Sequence, residues 1–125
     1  MKLLVQTYAD IVVVVPTGRL DHDHCEDFRA GLQPHLEGAT RDGRGIVLDL
    51  SRLEYVSSAG LRCFMLAARQ AAAVKGGKIV LAALRPVVAE IFQISRFDML
   101  FEIFPSVREA LAKLSAPAAA AFDQG

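Results

Sequence analysis

Two adjacent hydroxyls, Ser57 and Ser58, stand where an apolar run has given way to a helical pattern. The run is Ile46-Val47-Leu48 with Leu50, and a short polar turn carries it into Ser57-Ser58-Ala59-Gly60-Leu61. Serine is a favoured helix N-cap, because its side-chain oxygen accepts a hydrogen bond from an otherwise unpaired N–H of the first turn. The same place suits a phosphate, since free N–H groups and the positive end of the helix dipole both favour an anion. The pair therefore has two readings, a plain cap or a phosphorylation switch built on a cap. For a bare Ser-Ser the plain cap is the default.

Little else in the chain offers chemistry. His22, His24 and Cys25 with Asp21 and Asp23 have the residue types of a metal site. Alternate residues at a helix start point in different directions, however, and no further cluster supplies ligands, so a solvated helix start and no metal are expected. Val74-Lys75-Gly76-Gly77-Lys78 has the look of a phosphate loop, but Ile79 stands where a hydroxyl is needed and the first glycine is missing. It reads as a helix stop and a strand start. Three histidines, two of them in one loop, are too few to assemble a Ser-His-Asp or Cys-His arrangement. Neither an enzyme nor a cofactor is expected. Arg62, Arg69 and Lys75 line the polar side of the helix after Ser58. A solvated face is the default for each of them, and a docking role is open to the set.

Composition narrows the partners. With 14 basic and 14 acidic side chains the formal net charge is zero, so nothing points to nucleic acid or an anionic membrane. The 125 residues, 53% apolar and 22% charged, fit one globular domain with a real core. No apolar run approaches the roughly 20 residues that span a bilayer. Met1-Lys2-Leu3-Leu4 runs straight into a strand with no cleavable signal pattern. A cytoplasmic protein is expected. Cys25 and Cys63 lie far apart within predicted helices, and two free buried thiols are expected rather than a disulfide.

The elements that must position the serines alternate along the chain. Leu3–Tyr8 and Ile11–Val15 are β-branched or apolar runs joined at Ala9-Asp10, a hairpin at a sheet edge. Cys25, Phe28, Leu32 and Leu36 recur at helical spacing, with Asp21 or Asp23 to cap them. Pro34 should kink that helix or end it early, and a polar Gly38–Gly45 loop should follow. Ile46–Leu50 is the next strand; Leu61, Met65, Ala68 and Ala72 form the next helical stripe, closed by Gly76-Gly77. Lys78–Ala83 reads as a buried strand, parallel to Ile46–Leu50. Pro86 opens a helix with Val87, Val88, Ile91 and Phe92, and Phe101–Phe104 is briefly extended. Ser106 and Glu109 make a capping box for a helix to Leu114. Residues 1–115 thus form the domain, and the Ala-rich 116–125 a flexible tail. The architecture is α/β: a mixed, mostly parallel sheet of about four to five strands with helices mainly on one face.

Three motifs in order carry a resemblance over about residues 3–114. Asp49-Leu50-Ser51 leads to Tyr55-Val56 and then to Ser57-Ser58-Ala59-Gly60-Leu61; Gly18-Arg19-Leu20-Asp21 lies upstream; Gly76-Gly77-Lys78-Ile79-Val80-Leu81 lies downstream. The chain resembles a STAS domain of the anti-sigma factor antagonist (anti-anti-sigma factor) type. In that family a strand ending near Asp-Leu-Ser is followed by an aromatic-apolar pair and Asp-Ser-Ser-Gly-Leu or Asp-Ser-Thr-Gly-Leu. The upstream match is to Gly-Glu-Leu-Asp. Ser57 departs from the pattern, since kinase-regulated members carry Asp there.

The resemblance implies partner switching. The unphosphorylated domain binds an anti-sigma factor with a histidine-kinase-like ATPase fold and so frees a sigma factor. That partner phosphorylates the domain and releases it, and a Ser/Thr phosphatase resets it. Ser58 is the implied acceptor, with Ser57 the alternative. Asp21, Ser57, Ser58, Ala59, Gly60, Leu61 and Arg62 are the implied docking residues. Gly60 would give close approach to a partner or to the Asp21 loop, so that Gly60→Ala would leave the fold intact. Asp21 would be the remaining carboxylate near Ser58. A monomer or weak dimer is expected. Alternatives are a STAS scaffold, such as a subunit of a lipid-transport ATPase or a member of another phosphorelay, or a nucleotide- or lipid-binding module.

Overall fold

The computed structural model describes residues 1–42, 45–73 and 78–124, and of residues 39–42 only the backbone. β1 (Leu3–Tyr8) and β2 (Ile11–Pro16) form the expected antiparallel hairpin, turned at Ala9-Asp10. β3 (Gly18–Leu20) follows, then a short 3₁₀ turn over His22–His24 and helix α1 (Cys25–Asp42). β4 (Gly45–Asp49), β5 (Leu53–Val56) and α2 (Ser58–Ala72) come next. β6 (Lys78–Ala82), α3 (Pro86–Ile94), β7 (Ile103–Phe104), α4 (Val107–Leu114) and α5 (Ala116–Gln124) complete the chain. The main sheet has the order β1-β2-β4-β6-β7 and is parallel except for the hairpin.

Apolar residues run almost unbroken through β2, β4 and β6 because both faces of the sheet are covered. Val14, Ile46, Leu48, Ile79 and Leu81 face one cluster, which takes in Phe28, Leu32 and Leu36 of α1, Leu61 and Phe64 of α2, and Val88 and Phe92 of α3. Phe64 is its hub, with ring centroids 5.2 Å from Phe28, 5.6 Å from Phe92 and 6.4 Å from Phe101. The alternate residues, Val13, Val15, Val47, Val80 and Ala82, pack with Ala110 and Leu111 of α4 and Ala118 and Ala119 of α5.

Three expectations need correction. Pro34 does not end α1, which continues to Asp42, so the predicted Gly38–Gly45 loop is helical through Asp42. Leu36, beyond the proline, is 2% exposed; burying it on the same face as Phe28 and Leu32 offsets the roughly 3 kcal/mol that a helical proline costs. The turn after Leu50 contains β5, which pairs with β3 in a separate two-stranded parallel sheet. The flexible tail expected over 116–125 is instead helix α5 as far as Gln124. The Ser115 hydroxyl starts it, accepting from the Ala118 N–H at 3.3 Å and donating to Asp10 at 2.7 Å. Phe122 lies 5.3 Å from Tyr8, ring to ring. Ser115 ahead of Pro117 is a start signal that composition alone obscures. The Gly76-Gly77 stop and Lys75 lie outside the described residues.

Because α5 covers part of a sheet face, a chain ending at Ser115 is expected to lose about 1–3 kcal/mol of stability, the scale of one or two buried apolar side chains. Urea unfolding of the two chains measures this. An unchanged midpoint would mean that α5 adds no net stability.

Candidate functional site at the start of α2

β3 and β5 deliver two chain segments to one place. Leu20 and Val56 are opposite each other in the parallel pair, so Asp21 and Ser57 emerge side by side where the strands end. The Ser57 N–H donates to the Leu20 carbonyl at 2.9 Å. Arg19 stacks 4.5 Å above the Tyr55 ring on the same small sheet.

The two serines have different positions. Ser57 is the N-cap of α2, with extended backbone (φ −85°, ψ 175°), and its Oγ accepts from the Gly60 N–H at 3.2 Å. Ser58 is the first helical residue and is exposed. The cap and the exposed hydroxyl are therefore separate residues. Arg62, one turn beyond Ser58, is also exposed, whereas Leu61 is buried in the main core.

Gly60 is buried, and of the two approaches expected of it the structure shows the one toward the Asp21 loop. A Cβ there would run into the Leu20 carbonyl oxygen and come within 2.9 Å of Val56 Cγ1. The glycine thus allows α2 to pack against the β3–β5 ends. The close approach is to the Leu20 end of the Asp21 loop, and because an added Cβ needs a shift there, the expectation that Gly60→Ala leaves the fold intact does not hold.

Asp21 is engaged on its own segment. Its Oδ1 accepts from the His24 backbone N–H at 3.2 Å and lies 2.7 Å from His24 Nδ1. The His24 side-chain hydrogen bond holds the Asp21 carboxyl below the usual carboxylate range; desolvation opposes this and the His24 backbone N–H adds to it. His22 is exposed, and no group of three or more metal-ligating side chains converges among the described residues.

A cavity of about 590 Å³ opens beside Ser58, lined by His22, Cys25, Arg29, Ser58, Arg62 and Cys63 among others. Sequence reasoning missed Arg29, which joins Arg62 only because α1 and α2 lie side by side. It also separated the two cysteines. Cys25 and Cys63 have their Cα atoms 6.3 Å apart and are joined as a disulfide. Two free thiols is thus the wrong reading, since 37 intervening residues bring the start of α1 onto the second turn of α2.

Comparison with known proteins decides the family. Residues 4–105 match the family model described as "Mlab, STAS domain". BtrV of Bordetella bronchiseptica, a candidate anti-sigma factor antagonist, is 38% identical over 112 residues, covering 90% of this chain and 92% of BtrV. The chain belongs to the STAS-domain family of anti-sigma factor antagonists. Solved structures agree on the fold of this STAS domain. A candidate anti-sigma factor antagonist of Thermotoga maritima superposes with a TM-score of 0.79 at 18% identity, covering 90% of this chain and 93% of that one. The anti-sigma factor antagonist SpoIIAA in its unphosphorylated form gives 0.72 at 23% identity, covering 90% and 95%. No helix among the described residues is long and apolar enough to cross a membrane.

Gly60→Ala in this STAS domain is expected to cost about 1–3 kcal/mol through overpacking against Leu20 and Val56. Chemical denaturation checks it, and a midpoint equal to that of the parent chain would show that the strand ends can yield at no cost.

Asp21 generates a pH prediction. A carboxyl lowered in the folded state contributes stability that is present above the unfolded value, about 3.9, and is lost as pH falls through the folded value. Asp21→Ser keeps a capping oxygen and removes the charge, so it should lack that part of the acid-side loss while remaining folded at neutral pH. Stability measured from pH 7 down to pH 2 for both chains tests it; superimposable profiles would mean that the Asp21–His24 contact contributes nothing.

Proposed function

We propose that the chain is an anti-sigma factor antagonist that docks through the Ser58 end of α2 and is released by phosphorylation of Ser58. The observation that carries the proposal is the division of labour between the serines: Ser57 is spent on the helix cap, and Ser58 is exposed beside it. The partner is an anti-sigma factor with a histidine-kinase-like ATPase fold. It transfers the γ-phosphoryl of ATP to Ser58 Oγ, the hydroxyl gives up its proton, and ADP leaves. A Ser/Thr phosphatase hydrolyses the ester. The STAS domain is the substrate of these steps and catalyses neither.

The local electrostatics support the cycle. A phosphate adds about −1.5 to −2 charges at one point of the docking face. The first turn of α2 tolerates it, since the helix dipole favours an anion by roughly 0.3–1 kcal/mol. Arg62 follows one turn later, and Arg29 lines the same cavity. The docked partner meets a strongly hydrated anion instead, and every ~1.4 kcal/mol lost there weakens binding tenfold. Ala59 and Ser57 flank the acceptor at the rim of this face, while Gly60 and Leu61 act from beneath it. That SpoIIAA has been solved in a phosphorylated form at a TM-score of 0.65 to this chain is consistent with a fold that accommodates the group.

The test uses the purified chain, an anti-sigma factor with a histidine-kinase-like ATPase fold from the same organism, and Mg-ATP. Phosphopeptide mapping should place the label on Ser58; label on Ser57, or full labelling of Ser58→Ala, overturns the assignment. In a calorimetric titration Ser58→Ala should bind like the parent, and Ser58→Glu at least about tenfold more weakly. A chain that is never labelled and whose Ser58→Glu variant binds normally is a scaffold, not a switch.

A further inference from the structure

We propose that Cys25 and Cys63 form a reversible redox site whose oxidised form clamps the first two turns of α2 to the start of α1. The two backbones are already set for the bond. Their Cα separation of 6.3 Å lies within the range of about 4.4–6.8 Å that a disulfide spans without backbone movement. The cysteines come from different helices and are 38 residues apart, so the link ties together two helices that pack side by side. When reduced, both thiols remain in the core as small apolar groups: Cys63 is 1% exposed, and Cys25 is half-buried against the same cluster.

Access to the two sulfurs is unequal. Both cysteines line the 590 Å³ cavity with His22, Arg29 and Arg62, but Cys63 is 1% exposed at its floor whereas Cys25 is partly exposed at its side. That opening admits a small disulfide, and its arginines suit an anionic one such as glutathione disulfide. The Cys25 thiolate attacks one sulfur of the small disulfide, forming a mixed disulfide and releasing one thiolate. The Cys63 thiolate then attacks the Cys25 sulfur, forming the internal bond and releasing the second. Two protein thiols are oxidised, one small disulfide is reduced to two thiols, and the two protons pass to the thiolates released. An excess of the small thiol reverses both steps.

The bond lies next to the turn that carries Ser58. Cys25 Sγ is 4.0 Å from the Ala59 carbonyl oxygen, and Cys63 is four residues beyond Ala59 on the same helix. A crosslink here holds the wall of the Ser58 cavity between two helices. The site and the clamp stand on this geometry alone and need nothing from the docking cycle proposed above.

The full chain is equilibrated in glutathione buffers of graded oxidised-to-reduced ratio, quenched with an alkylating reagent and read by intact mass. The expected product is a monomer lighter by two hydrogens that takes up no alkyl group and returns to the dithiol with excess thiol. Cys63→Ser should stop at one glutathione adduct on Cys25, and Cys25→Ser should acquire little or none. Backbone amides of residues 59–66 should exchange hydrogen at least about tenfold more slowly in the oxidised chain than in the reduced one. Alkylation of both thiols in every buffer, or a product that is only a disulfide-linked dimer, overturns the site. Adduct formation on Cys63 in Cys25→Ser as fast as on Cys25 overturns the route of entry. An internal bond with unchanged exchange over residues 59–66 overturns the clamp.

Discussion

The carbonyl of Leu20 is the point on which the site depends. It ends β3, accepts the hydrogen bond that fixes Ser57, and lies against the one residue of α2 that has no side chain. Gly60 allows the helix to approach that carbonyl closely. The approach turns Ser57 inward to cap the helix and leaves Ser58 facing out. A side chain at position 60 would push the first turn away from the strand ends and separate the two segments that meet there. The glycine costs about 1 kcal/mol of helix propensity relative to alanine, and the packing it permits is the compensation.

This junction is held in place from both sides of the main sheet. β4 and β6 bury alternate residues in two clusters, so neither face is free to slide. On one side, three helices converge on Phe64, whose ring meets those of Phe28, Phe92 and Phe101. Phe64 lies on α2 one turn beyond Gly60, so the packed interior and the site share a helix. On the other side, α4 and α5 cover Val47 and Val80 with small residues, Ala110, Ala118 and Ala119, which let the helices approach the sheet closely.

The polar groups of the site divide into those that hold the local turns and those left at the surface of the cavity. Ser57 and Asp21 are occupied in capping their own turns, and Asp21 is further engaged by His24. Ser58, Arg62 and Arg29 have their side chains at the surface of the cavity, where Arg29 also donates to Glu26 at 3.2 Å. An added phosphate would enter a neighbourhood of helix dipole and arginine without displacing any of the bonds that hold the fold. In the proposed cycle, charge changes at Ser58 and not at the residue that caps the helix.

Much of this was legible in the residues themselves. The apolar runs of β2, β4 and β6, the hairpin at Ala9-Asp10, Pro86 at the first turn of α3 and the Ser106 cap of α4 all follow from periodicity and local hydrogen bonding, which short stretches of chain determine unaided. The motif around Ser57-Ser58 carried the family in the same way. What the tertiary structure alone decided is whatever depends on two distant segments meeting. β5 is only four residues and becomes a strand by pairing with β3; α1 survives Pro34 because burial of Leu36 outweighs a local rule. Which serine is capped, what Gly60 faces, how Asp21 is engaged and whether Cys25 meets Cys63 are likewise matters of contact across the fold. Propensity belongs to a residue and its neighbours in sequence, whereas contact belongs to residues that only packing brings together.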